Sequence, residues 1–121
     1  MCTSYDPPVE EITRERFEQL VRQALDEVPD RFSRAFDEVA VVVEDYPPPG
    51  RSLYGLYQGV PRTSGDRSGF PPPHISIYMH PLVDQFRSDA ELVRQVRITV
   101  LHELGHHLGM DEDQLEALGY G

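Results

Sequence analysis

The 121-residue sequence contains no lysine; its eleven basic side chains are all arginine. No side-chain amine is available for Schiff-base catalysis, which removes one class of covalent mechanism. There is one cysteine, Cys2, so no disulfide can form within the chain. A lone cysteine beside the N-terminus fits a reducing compartment and argues against a catalytic thiol. No run approaches the roughly 20 apolar residues of a membrane-spanning helix, and the opening Met1-Cys2-Thr3-Ser4-Tyr5-Asp6 has neither the basic nor the apolar region of a secretion signal. The expectation is a cytoplasmic protein that does not associate with membranes. Positive charge is scarce as well: 21 acidic residues leave a formal net charge of −10. The acidic excess lies in the first fifty positions and after residue 100, whereas the middle carries a slight arginine excess at Arg51, Arg62, Arg67, Arg87, Arg94 and Arg97. Such a surface repels phosphate backbones, so nucleic acid is not an expected partner. It favours solubility and can attract basic peptides.

The length suits one modest core, with residues 1–10 expected to be a flexible terminus and 11–121 a single domain. Phe17, Leu20, Val21, Ala24, Leu25 and Val28 recur at helical spacing, with Thr13 as N-cap and Pro29 as terminator. Phe32 and Phe36 suggest a short second helix. Val39 to Val43 is a short, mostly β-branched apolar run that predicts a buried central strand, broken by Tyr46-Pro47-Pro48-Pro49-Gly50. Leu53 to Gln58 predicts the next strand. Arg62 to Pro73 is a loop too rich in turn residues for regular structure and a candidate flexible rim. His74-Ile75-Ser76-Ile77-Tyr78 alternates polar and apolar residues, which predicts a half-buried strand at the sheet edge beside a cleft. An extended substrate can add to such an edge as another strand. Pro81 to Arg87 suggests a short helix, and Asp89 is a candidate cap for a long helix running to Leu108.

That long helix ends in His102-Glu103-Leu104-Gly105-His106-His107-Leu108-Gly109, the spacing H-E-x-x-H. One helical turn separates His102 from His106, so their imidazoles project from one face and converge, as two ligands of a tetrahedral zinc site must. Glu103 flanks that face, where a carboxylate can take a proton from water without binding the metal. Val93, Val100, Leu101, Leu104 and Leu108 fall on a roughly opposite arc, interrupted by Arg97, whose head must reach the surface. Ile98 and Thr99 continue the histidine face below the motif, which places the helix between a core and a cleft. The same residues would also suit a plain polar helix end favoured by the helix dipole, although the separate apolar and polar arcs speak against it.

Two sequence positions compete for the third ligand. Glu112 lies three residues beyond Gly109, where the pattern H-E-x-x-H-x-x-G-x-x-H places one, and zinc accepts a carboxylate oxygen. Asp111 serves if the turn is one residue tighter, but it also starts a capping box with Gln114 that would open a last helix. His107 points about 100° from His106, which suits a cleft residue or a support behind the ligands. Met110 is too close to the motif for a Met-turn.

Beyond the motif, the segments Phe17 to Val21, Ala24 to Pro29, Val39 to Pro47, Leu53 to Pro61, His74 to Tyr78 and Thr99 to Leu101 carry a resemblance over most of the chain. It resembles the minimal zincin-like metallopeptidase domains of bacteria, of the Asp-zincin type with H-E-x-x-H-x-x-G-x-x-D. The resemblance implies a small α+β zincin-like fold, with a mixed sheet of three or four strands packed against an N-terminal helix and the zinc-motif helix. It also implies His102 and His106 as ligands of one Zn²⁺, Glu103 as general base, and position 112 completing the site, here glutamate where the family prefers aspartate.

The expected function is a zinc metallopeptidase or amide hydrolase acting on a peptide or protein. Tyr57, Tyr78, His74 and His107 are candidates for cleft residues or oxyanion donors. Only twelve residues follow Gly109, which suggests an open, shallow cleft for a flexible peptide, or one that a partner protein completes. Two other readings stand beside this: an inactive metal-binding module working through protein interaction, and a metal-free domain with an accidental match.

Overall fold

The computed structural model describes residues 12–59 and 72–119. The expected flexible N-terminus, Cys2 and most of the loop from Arg62 to Pro73 lie outside the described residues.

Helix α1 (Arg14–Asp26) begins where expected: the Thr13 side chain accepts from the Arg16 amide, satisfying one of the donors a helix start leaves open. Phe17, Leu20, Val21 and Ala24 are its buried face. A short turn at Asp30–Phe32 leads into α2 (Ser33–Phe36), burying Phe32 and Ala35.

The sheet has three strands, β1 (Ala40–Glu44), β2 (Gly55–Gln58) and β3 (His74–Tyr78), in the order β1-β3-β2. β1 runs parallel to β3, pairing Ala40 with His74 and Glu44 with Tyr78. β2 runs antiparallel, pairing Gly55 with Ile77 and Gln58 with His74. Two expectations are thereby reversed. The apolar run at Val39 to Val43 forms an edge strand, with Val42 39 % exposed, and the alternating segment His74 to Tyr78 is the centre. β-branched residues report a preference for extended backbone, not how many neighbours the strand acquires. Ser76, which looked outward-facing, is fully buried and donates its hydroxyl to Glu44 Oε2 at 2.6 Å, so a satisfied polar residue occupies a central position.

Helix α3 (Met79–Gln85) follows β3 directly, two residues earlier than expected. Helix α4 (Asp89–His107) is capped by Ser88, not Asp89: the serine hydroxyl accepts from the Glu91 amide, and Asp89 takes the first helical position. There its charge favours the helix dipole and pairs with Arg16 at 2.7 Å. α4 packs on α1 and, on another side, on β2 and β3. Ile75 and Ile77 meet Val96, Val100, Leu104, Phe17 and Leu20 in one core. Each such side chain contributes about 1.5–3 kcal/mol through burial. Arg97, which interrupts the apolar arc, reaches Glu27 at 3.0 Å and joins the helices at their rim. Helix α5 (Glu112–Ala117) follows a turn through Gly109, whose φ of 81° favours glycine. Among the described residues the molecule is an α+β fold of five α-helices and a mixed three-stranded sheet. Among the described residues, no helix is long and apolar enough to cross a membrane.

Candidate metal centre

Two turns of α4 carry the chemistry. His102 and His106 share a face, with ring centroids 4.9 Å apart. α5 brings the third member. Both halves of the capping box expected at its start are present, with Asp111 accepting from the Gln114 amide and Gln114 returning to the Asp111 amide. This holds the Asp111 carboxylate on its own helix end and turns Glu112 towards the imidazoles. Glu112 Oε1 lies 3.4 Å from His102 Nε2 and 3.3 Å from His106 Nε2.

Among the described residues, His102, His106 and Glu112 are the group whose ligand-type atoms lie together, all within 4.8 Å of one another. Bonds of about 2.0–2.1 Å in a tetrahedron put neighbouring donors about 3.3 Å apart. One carboxylate oxygen sits at that distance from both nitrogens, so this donor set fits a zinc ion. Asp111 and His74 are not in the group. His74 opens β3, between Ala40 and Gln58.

α5 reaches the imidazoles because of Gly105. A Cβ there would collide with Leu115 Cδ2, and Leu115 is completely buried. The glycine inside the motif is the seat of the helix that delivers Glu112.

Glu103 lies beside the histidines, its side chain 13 % exposed. Its Oε1 accepts the Tyr57 amide at 2.8 Å, while Oε2 lies 3.9 Å from His102 Nε2. Burial pushes its carboxyl above the usual range, more than the Tyr57 amide and the two imidazoles pull it down. The Tyr57 amide can reach this carboxylate because β2 has an outer edge. Tyr54 O accepts from Tyr78 N, so alternate residues turn their peptide groups to β3, and Gly55 and Tyr57 turn theirs away. The edge beside the motif is therefore β2 and not, as expected, His74 to Tyr78. Between it and α4 opens a hollow of about 350 Å³ lined by Leu53, Tyr54, Gln95, Ile98, Thr99 and the His102–Glu103 pair among others. Ile98 and Thr99 thus border the cleft that the helical wheel suggested.

The remaining candidates are placed as follows. The Tyr57 hydroxyl lies 2.8 Å from His107 Nδ1. His107 is completely buried, with its Nε2 2.9 Å from Glu38 Oε1. Tyr78 is 2 % exposed, and burial, outweighing its bond to Ser76, raises its phenol above the ordinary range. Sequence reasoning missed Glu38, which precedes β1 and carries no local signal, and the seat at Gly105, which spacing alone does not disclose.

Residues 36–121 match the family described as zincin-like metallopeptidase. A conserved hypothetical protein from Thermo thermophilus is similar in structure, with a TM-score of 0.56 and 32 % sequence identity, over 80 % of this chain and 94 % of that one. No curated protein matches. With the family match extending over most of its length and the clustered donors in place, the chain belongs to the zincin-like metallopeptidase family.

Proposed function

We propose that the protein is a zinc-dependent hydrolase of peptide or amide bonds. His102, His106 and Glu112 hold the ion and Glu103 moves the proton. The observation that carries this reading is one carboxylate oxygen 3.3–3.4 Å from two imidazole nitrogens on adjacent turns, with a buried carboxylate beside them. Bound zinc supplies Lewis acidity, which activates water near neutral pH and polarises a carbonyl.

The chain's own residues do the rest. Glu103 is anchored through Oε1 on the Tyr57 amide, which leaves Oε2 to accept a proton from water and pass it to the leaving amine. The hollow between β2 and α4 offers mostly uncharged walls beside the His102–Glu103 pair, which suits a side chain of a peptide substrate.

The test compares wild type with Glu103→Gln in a peptide-library cleavage assay on untagged protein loaded with zinc. The substitution should keep about one equivalent of zinc while lowering turnover about 10²–10⁴-fold. Equal cleavage by both removes Glu103 from its role. Zinc binding without cleavage by wild type leaves a metal-binding module, and failure to take up zinc removes both readings.

A further inference from the structure

The proposed chemistry makes no use of His107, although its ring is completely buried and both its nitrogens are bonded, to Tyr57 and to Glu38. Burying an imidazole is unfavourable unless its polar atoms are paired; filling volume alone would be better done by leucine. A carboxylate at Glu38 can only accept, so Nε2–H donates to it; in the neutral ring Nδ1 then accepts the Tyr57 hydroxyl hydrogen. The result is a directional chain through three segments: the approach to β1, the end of α4, and β2.

Tyr57 is held at both ends by the same helix. Its hydroxyl bonds to His107 and its amide to Glu103, and these two residues are four apart, on one face of α4. The motif therefore contains two interleaved pairs. His102 and His106 face Glu112; Glu103 and His107, one residue on, grip Tyr57.

We propose that Glu38, His107 and Tyr57 form a positioning device for Glu103: the buried chain sets the outer edge of β2 against α4, so that the Tyr57 amide fixes Oε1 and leaves Oε2 facing His102. None of the three touches substrate. This inference rests on the reading of Glu103 as proton carrier, but its spectroscopic test does not require turnover.

The test follows the Tyr57 amide by NMR in ¹⁵N-labelled, zinc-loaded full-length protein. Glu103→Ala marks the position of that amide without its carboxylate. Glu38→Ala changes a residue that lies outside β2 and is none of the three proposed metal donors. It should move the Tyr57 amide at least halfway to the Glu103→Ala position, speed its hydrogen exchange about tenfold, and lower kcat about 10–100-fold with KM and zinc content unchanged. Glu38→Gln, which keeps an acceptor oxygen, should restore most of the amide position. Should Glu38→Ala fail to fold, Tyr57→Phe gives the same reading at the amide of position 57. A folded variant with the wild-type amide position and exchange overturns the proposal, whatever its activity. An amide that moves in a protein that cleaves no peptide supports the tether and removes the hydrolase reading.

Discussion

Glu103 ties the stability of the fold to pH. Its carboxyl is raised in the fold, chiefly by burial, so the folded metal-free protein binds the proton more tightly than the unfolded chain does. Between the ordinary glutamate pKa and the raised one, stability falls as pH rises; the favourable contribution is full below the ordinary value and lost above the raised one. Metal-free Glu103→Gln should therefore melt above wild type near pH 8, and the gap should close as pH falls below about 4. Thermal melts across that range in the presence of chelator check this. Asp111 and Glu112 make a second contrast. Asp111→Ala removes an N-cap and should cost about 1 kcal/mol with zinc affinity little changed. Glu112→Ala should leave metal-free stability nearly intact and weaken zinc by more than the ~10–100-fold typical of an outer partner. Calorimetric zinc titration beside denaturant melts separates the two, and the reverse order would move the third donor to Asp111. At this scale the sequence was most legible where chemistry is local. His102, Glu103 and His106 follow from helical periodicity, and the capping box from spacing. Glu38 did not, because its meeting with His107 arises only when α4 packs beside the approach to β1.

At the scale of elements, helices were more legible than strands. α1 and its Thr13 cap, α4 and α5 follow from apolar period and caps that lie within a few residues. The strands were located but their places in the sheet were exchanged, since nothing within His74 to Tyr78 states that it will be flanked on both sides. The alternation expected of an edge came instead from Ser76, buried with its hydroxyl on Glu44. The contact between α4 and α5 gives a prediction at this scale. Gly105→Ala gains about 1 kcal/mol of helix propensity and loses about 1–3 kcal/mol through crowding of Leu115. The net is a loss of about 0–2 kcal/mol, so the melting temperature should fall by no more than about 10 °C. Displacement of α5 has no such offset at the imidazoles. Zinc affinity should drop at least about tenfold, and a variant that binds zinc as wild type does would show that Leu115 yields without moving Glu112.

For the molecule as a whole, the proposed zinc would bridge a 19-residue helix and a six-residue one. A ligand that binds only the folded state at a hundredfold excess over Kd stabilises it by about 2.7 kcal/mol. For a chain of this size that corresponds to about 8–16 °C in melting temperature. Calorimetry with zinc and then with chelator should show a shift in that range, absent in a protein carrying His102→Ala and His106→Ala together. The net charge of −10 also weighs against retention on polyanions.

The shortness of α5 has a consequence outside catalysis. Six residues cannot sustain a helix in water by themselves; this one hangs on the capping box, on Leu115 lodged over Gly105, and on whatever Glu112 grips. Metal bound at Glu112 would add to the hold on α5 that the cap and Leu115 already give. A protease should therefore cut within α5 more slowly in zinc-loaded protein than in stripped protein.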